Sequence, residues 1–138
     1  EYSADGFFSN TTEMAEIGLV VLSEKPYAEG NGDRADLTLP AADVALIEQV
    51  RPRCRRMVVI LFSGRPLIIT DHLEKWDAFI AAWLPGTEGQ GIADVLFGDY
   101  PFTGRLAYSW PRRMDQIPLK AMAESGDGPL FPFGFGLV

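Results

Sequence analysis

The chain has 138 residues, 47% of them apolar, which is enough for one domain with a packed core. Its formal net charge is −7 and its isoelectric point about 4.6. This acidity argues against a nucleic-acid partner and against an anionic membrane surface, since no basic patch offsets it.

Arg51, Arg53, Arg55 and Arg56 do cluster, but at a helix-to-strand junction, where they read as a solvated surface that favours the helix end. The single cysteine, Cys54, cannot form an internal disulfide and reads as a small apolar residue at a helix end. The redox compartment therefore stays open. No apolar run reaches transmembrane length, and Glu1-Tyr2-Ser3-Ala4-Asp5 lacks the form of a signal peptide. The chain opens without Met on a polar stretch, so it is read as part of a longer polypeptide.

Residues 1–14 form an irregular lead-in. Ile17-Gly18-Leu19-Val20-Val21-Leu22 is then a nearly continuous apolar run, as a parallel strand buried on both faces requires. A loop rich in charge and glycine follows, from Glu24 to about Leu39. Gly30 and Gly32 flank Asn31 and would let the backbone take positive φ and double back. Pro40 opens a helix at its N1 position, with Val44, Ile47, Val50 and Cys54 at helical spacing and Pro52 weakening its last turn.

Met57-Val58-Val59-Ile60-Leu61-Phe62 is the second strand, stopped by Ser63-Gly64-Arg65-Pro66. Leu67-Ile68-Ile69 suggests a short extra strand. Asp71 and Glu74 have the spacing of a capping box for a helix over 72–77. The only histidine, His72, has no second ligand or nucleophile beside it in the sequence and reads as structural. Residues 78–83 form the third strand, and a helix runs from about Glu88 to Phe97. Gly89-Gln90-Gly91 is too sparse a glycine pattern for a phosphate loop, so no nucleotide is implied. Residues 101–138 are largely irregular. Within them, 105–110 alternates like a half-buried strand, and the apolar 129–137 should pack on the body of the domain.

Successive parallel strands place the loops at 23–38, 63–66 and 84–87 on one edge, where ligands bind in open α/β sheets. The residues thus point to a three-layer α/β sandwich with a mostly parallel sheet and a carboxylate-bearing loop at its carboxyl edge.

Three blocks carry a family likeness: Pro26-Tyr27-Ala28-Glu29-Gly30 through Asp33-Arg34, Trp83-Leu84-Pro85-Gly86-Thr87-Glu88-Gly89-Gln90-Gly91 through Asp99, and Phe102-Thr103-Gly104-Arg105-Leu106. Together with the closing 129–137 they resemble the second domain of family 3 glycoside hydrolases, nearest the exo-β-glucan glucohydrolase and β-glucosidase branch. The resemblance implies a retaining enzyme that releases glucose from non-reducing ends of a β-glucoside or β-glucan oligosaccharide. It implies an aspartate nucleophile on a preceding (β/α)8 barrel, and a glutamate acid/base here. The barrel is then this domain's partner, without which the sandwich is incomplete and the chain alone is expected to be inactive. No cofactor or metal is implied. A secreted or periplasmic location follows from the resemblance only, and self-association is left open.

Two glutamates compete for the acid/base. The Gly-Asp-Arg and Leu-Thr-Leu-Pro anchors of the loop select Glu29, and the strand end selects Glu24. Lys25 could engage Glu24, while Asp33 and Arg34 could pin the loop as an ion pair worth about 0–1 kcal/mol if exposed. Tyr27 could face a sugar or pack under the loop, and packing is the preferred reading. The chemistry needs a carboxyl that stays protonated until it donates to the leaving oxygen and then serves as base toward water. The alternative function is a non-catalytic carbohydrate-binding or domain-assembly module of the same fold.

Overall fold

The computed structural model describes residues 13–118 and 126–137, so nearly all of the expected lead-in lies outside the described residues. Three strands, β1 (Ala15–Ser23), β2 (Cys54–Phe62) and β3 (Ala78–Trp83), pair in the order β1-β2-β3, every pair parallel. This is an open α/β sheet of the expected kind.

The register fixes which side chains share a face. Val20 lies opposite Val59 and Leu22 opposite Leu61, while Phe79 pairs with Val59 and Ala81 with Leu61. Because successive residues of a strand point to opposite faces, these and Met57 line one side of the sheet. Helix α1 (Ala41–Val50) covers the β1 end of that side through Ile47, with Val44, Leu46 and Val50 beside it. On the other side of β1, Ile17, Leu19 and Val21 remain about half exposed.

Several local expectations shift by a residue or more. Pro40 is the N-cap of α1 and not its first residue, and its carbonyl accepts the N–H groups of Asp43 and Val44 at 3.0 and 3.1 Å. Cys54 does not end the helix: Pro52 sits in a 3-10 turn (Arg51–Arg53) that closes α1, and Cys54 opens β2. Its sulfur explains Gly18 within β1, since a Cβ at that position would stand 2.7 Å from Cys54 Sγ.

Helix α2 spans only Thr70–Leu73, and its N-cap is the buried Ile69, so the Asp71–Glu74 capping box does not form. The chain leaves the helix early because Trp76 must enter the core. Asp77 then clasps β2, donating its N–H to Met57 O at 2.9 Å and accepting the Met57 N–H at 2.7 Å. Helix α3 (Gly89–Phe97) follows β3 and ends at Gly98, whose φ of 90° is the left-handed C-terminal stop glycine readily adopts.

Residues 67–69 contribute a single parallel bridge, Thr38 with Ile68, and no separate strand. The described part of the C-terminal segment lies over β3. There Leu106 and Trp110 exchange backbone hydrogen bonds with 130–135 in antiparallel fashion, at 2.8–2.9 Å. Trp110 is 1% exposed, and its Nε1 donates to Leu67 O at 2.8 Å. Phe79, Trp83 and Phe131 surround its ring at centroid distances of 5.6, 6.0 and 6.3 Å.

Candidate active site

All three strand-end loops do lie along one edge. Glu24 N–H donates to Phe62 O at 3.0 Å and Ser63 N–H to Trp83 O at 3.1 Å, so the first two of these loops begin against the next strand of the sheet.

The backbone bond at Glu24 holds that residue as though it were one more residue of β1. Its side chain is only 6% exposed. Oε1 accepts from Arg34 Nη1 at 3.0 Å, and Oε2 accepts from Arg65 Nε at 3.2 Å and from the Tyr27 hydroxyl at 3.1 Å. Two arginines, rather than the adjacent Lys25, therefore engage Glu24. Burial works against the Arg65 cation, yet contact with Tyr27 and attraction to Glu24 outweigh it and raise its pKa. Arg65 Nη2 is buried with no hydrogen-bond partner among the described residues.

Arg34 reaches Glu24 and not Asp33. Its Nη2 also donates to Thr38 O at 3.2 Å, which ties the far end of the loop to the near end. Asp33 contributes its backbone N–H, which donates to Gly30 O at 3.2 Å. Beyond them, Asp36 Oδ1 accepts the Thr38 N–H at 2.8 Å. Chiefly that backbone bond, helped by the Thr38 side chain and the charge of Arg34, holds the Asp36 pKa below its ordinary value.

Glu29 has the opposite character. It begins a 3-10 turn (Glu29–Gly32) at the crest of the loop and is exposed. Its φ is 49°, a left-handed conformation that costs a residue with a Cβ about 1–2 kcal/mol. The positive φ expected at Gly30 and Gly32 is absent from both. Gly32 is small for a different reason: a Cβ there would run into the Tyr27 ring. Tyr27 packs under the loop, with its hydroxyl accepting the Gly64 N–H at 3.1 Å and the Arg65 guanidinium 4.3 Å from its ring centroid.

Arg65 is the residue that sequence reading missed. The available signal was its place: an arginine in the Ser63-Gly64-Arg65-Pro66 turn, at the same sheet edge as an acidic loop. Beside this cluster lies a cavity of about 490 Å³ lined by Glu24, Tyr27, Arg34, Asp43 and Arg65 among others. Burial raises the Asp43 pKa above its ordinary value. A second cavity, about 550 Å³, lies against β3 and the aromatic C-terminal segment and is walled mostly by apolar side chains. Among the described residues no group of three or more His, Cys, Asp or Glu is placed to hold a metal ion. His72 stacks on Trp76, ring centroids 6.5 Å apart.

An open parallel sheet with an exposed, backbone-strained glutamate at its carboxyl edge, and a second glutamate clamped beneath it, defines an α/β domain that presents its site outward. The chain belongs to family 3 of the glycoside hydrolases, matching the family's C-terminal domain over residues 7–138. A periplasmic beta-glucosidase of Salmonella typhimurium is 32% identical to it, covering 91% of this chain and 19% of that protein. A beta-xylosidase of Formosa agariphila is 35% identical, covering 99% and 21%. The crystal structure of an exo-1,3/1,4-beta-glucanase from a Pseudoalteromonas species superimposes with a TM-score of 0.76 at 37% identity, covering 98% of this chain and 18% of that one. The chain thus spans about a fifth of the length of the relatives it matches.

Proposed function

We propose that this domain supplies the general acid/base of a retaining, exo-acting β-glucosidase or β-glucan glucohydrolase, and that Glu29 is that residue. The nucleophile would be an aspartate on a (β/α)8 barrel elsewhere in the same polypeptide, and a β-glucoside or β-glucan oligosaccharide would be bound between the two domains. The observation that carries the reading is the contrast between the two glutamates. Glu24 has both carboxylate oxygens taken by Arg34, Arg65 and Tyr27, whereas Glu29 stands exposed at the crest of the loop in a strained backbone conformation. A group that must release a proton to one atom and take one from another needs free oxygens and reach, and strained residues concentrate where function over-determines geometry. The length of the relatives, about five times that of this chain, leaves room for the barrel. The exo-glucanase and beta-glucosidase likenesses support a β-glucan or β-glucoside substrate, and the beta-xylosidase likeness names the β-xyloside as the competing one to assay.

In the complete enzyme carrying this domain, Glu29→Ala should lower turnover of a substrate with a poor leaving group by a factor of about 10²–10⁴. Dinitrophenolate leaves dinitrophenyl glucoside without protonation, so formation of the glycosyl-enzyme should be nearly spared while its hydrolysis slows. Azide, an anion that needs no general base, should then restore turnover and give the β-glycosyl azide. If Glu24→Ala gives the azide product and Glu29→Ala does not, the two roles are exchanged.

A further inference from the structure

The carboxyl of Glu29 makes no side-chain hydrogen bond or ion pair among the described residues, so its position is set by the backbone that carries it. That backbone is a short 3-10 turn, Glu29–Gly32, whose internal bonding is weak support for a group that must meet a reacting atom within a fraction of an ångström. Something else must hold the turn, and the contacts converge on one side chain.

Tyr27 lies two residues before Glu29. One side of its ring fills the space that a Cβ on Gly32 would need, at the far end of the same turn. The Arg65 guanidinium stacks at 4.3 Å from the ring centroid. The hydroxyl accepts from Gly64 N–H at 3.1 Å and donates to Glu24 Oε2 at 3.1 Å. A Cβ on Gly64 would stand 2.5 Å from that hydroxyl oxygen, so the turn after β2 also leaves room for it. The ring therefore bridges the turn bearing Glu29 and the turn after β2, and the buried Glu24 fixes both its hydroxyl and Arg65. An aromatic ring with a hydrogen-bonded hydroxyl has only two side-chain torsions to settle, which makes it a stiff strut.

We propose that Tyr27, held between Gly32 and Arg65 and hydrogen-bonded to Gly64 and Glu24, is a positioning residue that sets where the Glu29 carboxyl stands over the sugar. This rests on Glu29 being the acid/base. Tyr27 touches no reacting atom. It acts by keeping the turn at one height above the sheet edge, and the reach of the acid to the leaving oxygen depends on that height. Arg65 and Glu24 serve the same end one contact further back.

The test uses the complete enzyme and two aryl glucosides, one with a poor leaving group and one with dinitrophenolate. Tyr27→Phe keeps the ring between Gly32 and Arg65 but deletes the hydroxyl's two hydrogen bonds. It should lower kcat on the poor substrate by a factor of about 10 to 100, the scale on which small misplacements of a catalytic group act. KM should change little, and glycosyl-enzyme formation from dinitrophenyl glucoside should be nearly unaffected. Arg65→Lys, which keeps the charge but loses the planar stack, should show the same leaving-group pattern more weakly. In a Glu29→Ala background, Tyr27→Phe should cost less than about twofold further on the poor substrate, because two residues acting through one group are not additive.

Equal losses in the rate of glycosyl-enzyme formation from both substrates, or additive losses in the double variant, would overturn the positioning role and leave Tyr27 as general scaffold. If Glu29→Ala itself shows no leaving-group dependence, the acid/base assignment fails instead. The two failures are therefore distinguishable.

Discussion

The same sheet holds two irregular stretches of chain by opposite means. At the carboxyl edge of β1 and β2, the loop 24–38 is fastened by a polar clamp: a 6% exposed carboxylate, two guanidinium groups and a phenol, each at hydrogen-bond distance. Over β3, residues 102–110 and 129–137 are fastened by aromatic burial around Trp110, with ring centroids 5.6–6.3 Å apart. Apolar contact is non-directional and tolerates sliding, whereas hydrogen bonds to charged groups fix distance and angle. The chain uses burial to hold its C-terminal segment on the sheet, and charged hydrogen bonds to hold the loop that carries Glu29.

The difference can be broken from either side, and the largest expected effect is on the aromatic side. Trp110→Ala removes the centre of the cluster and should destabilise the protein by about 3–5 kcal/mol in urea titration. The Leu67 carbonyl that Trp110 Nε1 now satisfies would also lose its partner. The leaving-group dependence of residual activity should be unchanged, because no part of the polar clamp is touched. A leaving-group-dependent loss in Trp110→Ala would show that the two regions are coupled.

Removing the carboxylate at the heart of the clamp comes next. Glu24→Ala leaves Arg65, largely buried, without its acceptor. It should cost about 3 kcal/mol in the same measurement, the low end for breaking a buried pair because Arg34 is a third exposed and can turn to water. A loss below about 0.5 kcal/mol would mean that the clamp behaves as an exposed ion pair.

The smallest effect concerns Asp43, in the first turn of α1 and on the wall of the cavity beside the clamp. Burial raises its pKa above 3.8 in the folded state, so the fold binds its proton more tightly than the unfolded chain does. Asp43 therefore contributes most below pH 3.8, and that contribution is lost as pH rises through the raised value. Asp43→Asn removes this dependence. The stability of the variant relative to the parent should climb with pH across that window, as denaturation at successive pH values would show. A flat difference would mean that the favourable field at the helix N-terminus cancels the effect of burial.

The three strands and α1 could be read from local pattern alone. Apolar runs and helical spacing are properties of consecutive residues, and parallel pairing with loops on one edge follows from the connections between them. Both glutamates of the loop could be found in the same way, as could the apolar character of the C-terminal segment. Which carboxylate is engaged could not. Arg65 lies 41 residues from Glu24, Gly64 lies 37 from Tyr27 and Leu67 lies 43 from Trp110, and nothing in a linear pattern pairs them. Lys25 is the nearest cation to Glu24 in sequence, but a neighbour in an extended segment points away, and the parallel sheet brings the turn after β2 to the end of β1 instead. Gly32 likewise looked like a turn residue by composition, and only the packed Tyr27 ring shows that it is there for room. Tertiary packing decided which side chains hold the loop and which glutamate stays free, because hydrogen bonds to charged groups depend on distances of a few tenths of an ångström that only the assembled sheet edge sets.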